Sequence, residues 1–235
     1  MPPIGELRIL LPVDVSSTEP PTLAVLDVLR PFEVVLLGYF PVPDQAEPAL
    51  LKHEYEDEAG ARLDRVAAGR PDLIERLVFT HDRGATIDRV ADQYDCDAVL
   101  TAGDTDHLDR ILVPVRGDHN IDRIASVVAG LLDGSEATAT FFHSVDEDGE
   151  RGQAEELLRG AIEAVTAHGV DGGRLDWSVS AAGDPHGNIV DVAGDYDLVV
   201  FGETEPSLRD RIMGETLSAT IDRLTVPALV VRDVE

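Results

Sequence analysis

The sequence predicts an α/β fold of two repeated units, each an open parallel sheet with helices on both faces, the first unit truncated. Three observations predict it. Two short strings recur at nearly one offset, runs of consecutive apolar residues alternate with amphipathic segments, and a final helix and strand follow only the second copy. Arg8-Ile9-Leu10-Leu11-Pro12-Val13 returns as Arg110-Ile111-Leu112-Val113-Pro114-Val115, 102 residues on. Asp95-Cys96-Asp97-Ala98-Val99-Leu100 returns as Asp195-Tyr196-Asp197-Leu198-Val199-Val200, 100 residues on. Two folds that merely shared common strand sequences would rarely keep that spacing.

In the first unit, strands are expected at Leu7 to Val13, Glu33 to Phe40, Leu73 to Phe79 and Ala98 to Ala102. Their apolar residues are consecutive, as a sheet covered on both faces requires. Helices are expected at Thr22 to Leu29, Glu54 to Ala68 and Ala85 to Tyr94. Ala59, Leu63 and Val66 share one helical face by their spacing of three and four. Pro41, Pro43 and Pro48 mark a loop before the second helix.

The second unit places strands at Arg110 to Val115, Thr138 to Val145, Leu175 to Val179 and Leu198 to Phe201, with helices at Ile121 to Leu132, Arg151 to Ala167 and Gly187 to Ala193. Leu157, Leu158, Ala161, Ile162 and Val165 make one apolar stripe. A fourth helix, Ser207 to Arg223, and a fifth strand, Ala228 to Val231 after Pro227, complete it. Strand-helix alternation implies parallel strands with right-handed crossovers. After Gly103 the first unit has only Asp104 to Asp109 before the next first strand, so it lacks that last pair. The units are bounded at 1–108 and 109–235, with no linker between them.

Of 235 residues, 46 are acidic and 19 basic, for a formal net charge of -27, and Lys52 is the only lysine. Surface scaling gives roughly 10,000 Å² for this mass. At ~20 Å mean spacing two charges repel by only ~0.2 kcal/mol in water, but the sum over all pairs is large. Salt removes it, since the screening length falls from ~10 Å at 0.1 M to ~3 Å at 1 M. Acidic excess with lysine nearly eliminated therefore reads as adaptation to molar salt. The charge argues against a basic nucleic-acid-binding face and against an anionic membrane as partner. Cys96 alone forms no intramolecular disulfide or multi-thiolate metal site. No apolar run reaches the ~18 residues of a membrane span, and no secretory leader is evident, so a cytoplasmic protein is expected.

With these strings in view, the chain resembles a tandem universal stress protein of a salt-adapted, haloarchaeal type. The likeness covers most of both units and is strongest from Arg110 to Arg232. Its most specific pieces are the first-strand Ile111-Leu112-Val113-Pro114-Val115, the stretch Asp195-Tyr196-Asp197-Leu198-Val199-Val200-Phe201-Gly202, and the final Val226-Pro227-Ala228-Leu229-Val230-Val231. The resemblance implies a five-stranded parallel, adenine-nucleotide-alpha-hydrolase-like sheet and units paired as dimers. Some members of that family bind ATP and others do not. The ATP-binding members carry Gly-x2-Gly-x9-Gly-Ser/Thr after the fourth strand and an Asp just after the first. Glycines there let backbone N–H groups approach phosphates, and the next helix N-terminus adds a favourable dipole.

On that pattern the cofactor-site candidates are Asp14, Arg116, Gly202, Gly214, Glu215 and Thr216. Gly202 matches the first glycine. Glu205 replaces the second. Gly214 approximates the third with the spacing one residue shorter, and Glu215 precedes the small hydroxyl residue, Thr216. Arg116 stands at the Asp position of the second unit, with Asp118 two residues on. Asp14 keeps the aspartate in the first unit, which has no glycine loop. A carboxylate at ~5 Å from a phosphate charge costs about 3 kcal/mol at an effective dielectric of ~20, and Glu203, Glu205 and Glu215 all fall near the expected phosphate position. Arg116, Arg209 and Arg211 are the cations able to offset them. The alternative purely structural use of this stretch is Gly202 ending a strand and Ser207 capping the fourth helix.

His143 and Ser144 end the second strand of unit two, and His81 and Asp82 follow the third strand of unit one, on the side where open α/β sheets bind ligands. Each histidine is expected to have a backbone or water partner instead. His53 to Glu58 reads as a solvated, acidic helix start. Cys96, between two aspartates, is not an activated thiol. There is no Gly-x-Ser-x-Gly elbow, no Walker A pattern and no Gly-x-Gly-x-x-Gly.

The expectation is therefore a non-enzymatic stress-type or regulatory protein that works through dimerisation and protein contacts, without a cofactor. The alternatives are an ATP or AMP sensor using the Gly202–Thr216 loop, and a nucleotide-hydrolysing or adenylating enzyme. The units are expected to form a homo-oligomer, or a pseudo-dimer within one chain about an internal pseudo-two-fold axis. The fifth strand of unit two, an apolar edge with no counterpart in unit one, is expected to pair with another chain or be covered.

Overall fold

In order, the chain forms β1 (Arg8–Asp14), α1 (Val25–Val28), β2 (Glu33–Pro41), α2 (Pro48–Val66), β3 (Ile74–Thr80), α3 (Arg83–Gln93) and β4 (Ala98–Leu100). There follow β5 (Arg110–Pro114), α4 (Ile121–Leu132), β6 (Thr138–Val145), α5 (Arg151–Thr166), a 3₁₀ turn (Gly172–Arg174), β7 (Leu175–Ala181), α6 (Pro185–Ala193), β8 (Leu198–Gly202), α7 (Glu215–Ile221) and β9 (Ala228–Val231). The computed structural model describes residues 7–17, 25–67, 70–101, 107–145, 150–181, 185–203 and 215–233. Each strand overlaps its expected range; the edge strands β3 and β7 interrupt their apolar residues with exposed polar ones such as Glu75, Arg76 and Asp176. Helix α2 begins at Pro48, ahead of the expected Glu54, because proline suits the first helical position, where its missing N–H is not needed. His53 to Glu58 therefore lies inside a helix, where Lys52 pairs with Glu56 and Arg62 with Glu58. The first part of the helix expected over Thr22 to Leu29, and Ser207 to Gly214 of the last one, lie outside the described residues.

The strands make one mostly parallel sheet in the order β3-β2-β1-β4-β9-β8-β5-β6-β7. One order recurs, β3-β2-β1-β4 in the first half and β7-β6-β5-β8 in the second. Every neighbouring pair is parallel except β4 and β9, which run antiparallel. The two halves thus run in opposite directions, and their strand ends face opposite edges of the sheet.

Of the two expectations for the β9 edge, a second chain or a cover, the structure shows the cover, supplied by β4 of the same chain. Ala98, Val99 and Leu100 pair with Val231, Val230 and Leu229. Thr101 N donates to the Ala228 carbonyl at 2.8 Å, and Arg232 N to the Asp97 carbonyl at 2.8 Å. Among the described residues unit one has no fifth strand to occupy that place, and the fifth strand of unit two fills it.

One apolar core lies under α2, α4 and α5 and runs across both halves. The opposite face has two smaller cores, one under α3 with Leu10, Val99 and Val230, the other under α6 with Leu112, Val199 and Ala228. Leu217 and Ile221 of α7 pack against both. Successive residues of β9 thereby enter three different cores. No helix among the described residues is long and apolar enough to cross a membrane.

The recurring Asp-x-Asp string has a physical use in each half. Asp97 Oδ2 accepts from Arg8 N at 2.8 Å, while Asp97 N donates to the Arg8 carbonyl. Asp197 Oδ2 accepts from Asp109 N and Arg110 N, both at 2.8 Å, and Asp197 N donates to the Arg110 carbonyl. Each aspartate closes the start of the first strand with the backbone donor and acceptor that the ladder leaves over.

Between the two aspartates of the first string, Cys96 is fully buried, and burial pushes its thiol up to about 12. Thiolate is the attacking form, so native protein at about pH 8 is expected to resist alkylation and to label stoichiometrically once unfolded. Rapid stoichiometric labelling of the folded chain would contradict this.

Candidate functional site

At the carboxyl ends of β5 and β8 the chain leaves a cavity of about 310 Å³, lined by Pro114, Val115, Arg116, His119, Gly202 and Glu203 among others. Parallel strands create this place because both chains turn away from the sheet at one level. Ile124, from the first turn of α4, forms its floor against Gly202. A Cβ on Gly202 would stand 2.7 Å from Ile124 Cδ1, so glycine lets the strand end pack against the helix.

The loop before α4 is held by the C-terminal strand. Asn120, in the left-handed region at φ 61°, donates from Nδ2 to the Val231 and Arg232 carbonyls at 3.3 and 3.1 Å. His119 Nε2 lies 2.9 Å from Asp233 Oδ2. Glu203 Oε2 accepts from Asp233 N at 2.8 Å.

Arg116 leans the other way. Its Nη2 donates to His186 Nε2, so His186 Nδ1 carries the hydrogen and donates to Thr220 Oγ1 at 2.9 Å. Behind it, His143 Nδ1 donates to the Val115 carbonyl at 2.5 Å, the backbone partner expected of it. His81 makes the same bond in the first half, to the Val42 carbonyl at 3.1 Å.

Glu203 is half-buried, and burial pushes its carboxyl up, with the Asp233 N–H and Arg232 pulling it partly back. A raised folded value means the neutral carboxyl favours the fold. That advantage is present below the ordinary carboxyl range and is lost as pH rises through the folded value. Glu203→Gln is therefore expected to melt above the parent near pH 7, with the gain shrinking toward about pH 4.5. A gain that stayed constant across that range would show that charge is not the cause.

Of the candidate residues, Arg116 and Gly202 share this cavity and Asp14 does not join them. Asp14 ends β1, and its Oδ1 accepts from Ser16 N at 2.8 Å and Ser16 Oγ at 2.6 Å, closing its own turn. Because the halves run in opposite directions, Asp14 lies at the other edge of the sheet from Gly202 and Arg116. Glu215 and Thr216 open α7. Gly214, Glu205, Ser207, Arg209 and Arg211 lie outside the described residues.

Arg62, on α2, carried no sequence signal. It is buried, and its Nη1 donates to the Val15 and Ser16 carbonyls at 2.8 and 3.2 Å, so a guanidinium fixes the loop after β1. His107, Asp109 and Asp197 bring three potential ligand atoms within 4.8 Å of one another. The Asp197 carboxylate already accepts two backbone N–H groups there and meets His107 Nε2 at 3.2 Å.

No family model matches the sequence, and no curated protein does. Solved structures do. A universal stress protein from Archaeoglobus fulgidus DSM 4304 aligns over 97% of this chain and 97% of its own, at TM-score 0.62 and 14% identity. The chain has the universal stress protein fold. The putative universal stress protein from Pseudomonas aeruginosa UCBPP-PA14 shares this fold at TM-score 0.54 and 16% identity, over 96% of this chain and 92% of that one. A smaller structure, the universal stress protein from Archaeoglobus fulgidus in complex with dAMP, covers 52% of this chain at TM-score 0.44 and 19% identity, 97% of its own length being matched.

Proposed function

We propose that this chain is a tandem, salt-adapted member of the universal stress protein family that acts in stress response or regulation through protein contacts, without catalysis and without a bound nucleotide. The observation that carries this reading is Glu203, a half-buried carboxylate lining the cavity next to Gly202, where ATP-binding members are expected to hold phosphate. A fixed carboxylate repels phosphate, and burial strengthens the repulsion. Arg116, the nearest cation on that loop, is turned to His186. Asp14 is committed to its own turn.

The paired halves supply the scaffold. Within one chain, β4 and β9 join the two half-sheets, which supports reading the molecule as an internal pseudo-dimer whose remaining surface meets a protein partner. Its acidic surface suits a cytosol of molar salt.

Mass spectrometry of the protein released by denaturation, with thermal melting in Mg-ATP at molar KCl, tests the nucleotide part. The expected result is no co-purifying nucleotide and an unchanged melting temperature. ATP or AMP in the released fraction would replace this reading with that of a nucleotide sensor using the Gly202–Thr216 loop.

A further inference from the structure

Arg116 and Glu203 stand four residues beyond Leu112 and Val199, which pair across parallel β5 and β8. Both follow the carboxyl ends of these neighbouring strands and line one cavity. They do not pair with each other. Arg116 donates to an imidazole nitrogen of His186, and Glu203 accepts from the backbone N–H of Asp233. Neither partner carries the opposite charge, so each side of the cavity keeps its own.

Among the described residues the neighbouring ions do not remove that polarity. Arg232 is committed to the Cys96 carbonyl and to Asp92, and Asp233 to His119. The lining also offers apolar surface from Pro114, Val115 and Ile124, beside His119. A cavity of about 310 Å³ is at the small end of ligand sites. A simple anion meets Glu203, and a simple cation meets Arg116.

We infer that this cavity binds a small zwitterion, an α-amino acid with an apolar side chain, its ammonium group on Glu203 and its carboxylate on Arg116. This rests on the reading that no nucleotide occupies the site. The ligand closes the ion pair that the protein leaves open, through two charge-assisted hydrogen bonds.

Calorimetric titration of the whole chain in molar KCl tests it with three probes: L-leucine, N-acetyl-L-leucine, which lacks the cation, and L-leucinamide, which lacks the anion. L-leucine is expected to bind, and each analogue to bind at least about tenfold more weakly, a loss of about 1.4 kcal/mol. Glu203→Gln keeps an acceptor for Asp233 N, and its thermal melt verifies folding. It is expected to weaken L-leucine about tenfold and to strengthen N-acetyl-L-leucine, while Arg116→Gln strengthens L-leucinamide instead. No L-leucine heat up to the order of 10 mM, equal binding of all three probes, or both variants shifting the analogues in the same direction would each overturn the inference. Mg-ATP is titrated in parallel. ATP binding defeats the nucleotide-free reading, whereas absence of both ATP and L-leucine binding defeats the zwitterion site alone.

Discussion

Leu229→Ala is expected to destabilise both halves of the molecule together. Leu229 is fully buried in β9, opposite Val200 of β8 on one side and Leu100 of β4 on the other. Truncating a buried leucine to alanine costs about 2–5 kcal/mol, through lost transfer energy and the cavity left behind. Against a total stability of ~5–15 kcal/mol that is a large share. For a chain of this size it corresponds to roughly 4–20 °C in melting temperature. Two natural probes report separately on the halves. Trp177, the only tryptophan, lies in β7 at the far edge of the second half, and Cys96 is buried in the first. Fluorescence and thiol labelling are expected to follow one transition, displaced equally by the substitution. If the Trp177 transition moved while Cys96 protection held, the halves would be independent, and the role given to β9 would fail.

Arg232→Ala comes next in size. Arg232 follows β9 and is buried, and its Nη1 donates to the Cys96 carbonyl at 2.9 Å while Nη2 pairs with Asp92. It is a side-chain latch from the second half onto the first. Removing it leaves a buried carbonyl without its donor, at about 1–3 kcal/mol, and strips packing from the seam. Asp92 is largely exposed and regains water, so no stranded charge adds to that cost. Thermal melts in 0.1 M and 2 M KCl distinguish the latch from a surface ion pair such as Arg30 with Asp27. The penalty is expected to persist at high salt, because the bond to the carbonyl is shielded. A penalty that disappeared in 2 M KCl would mean that only screened charge was lost. Arg232→Lys is expected to recover less than half of it, since an ammonium does not span both partners as the guanidinium fork does.

The inner strands are legible because each is covered on two faces, whereas the edge strands β3 and β7 are only partly buried. Ile9, Leu10, Leu11 and Val13 are all buried, as are Leu198, Val199 and Val200, and such runs leave no ambiguity about where the sheet passes. The partner of β9 was not legible. Ala228 to Val231 reads as a strand by composition, but its second neighbour is chosen by a match with Thr101 and β4, 127 residues away in sequence. Pro48 reads as loop together with Pro41 and Pro43 in the sequence, because proline marks a helix start and a turn equally well. At the candidate site, Gly202 and Arg116 fall in one cavity, as their places after strands suggest. What each does there depends on residues remote in sequence. Arg116 meets His186 across 70 residues, and Glu203 meets Asp233 across 30. Arg62 sits in the ordinary helical string Ala61-Arg62-Leu63-Asp64, and its partners there are the Val15 and Ser16 carbonyls, remote in sequence.

The antiparallel seam between β4 and β9 also changes how the pairing of the halves responds to dilution. Two separate subunits that share a sheet edge dissociate as their concentration falls, and their apparent stability falls with it. Here the partners are tethered, so each meets the other at an effective concentration in the millimolar range or above, however little protein is present. Their union is a unimolecular property of the fold, and a second copy competes for a half only when its own concentration approaches that effective value.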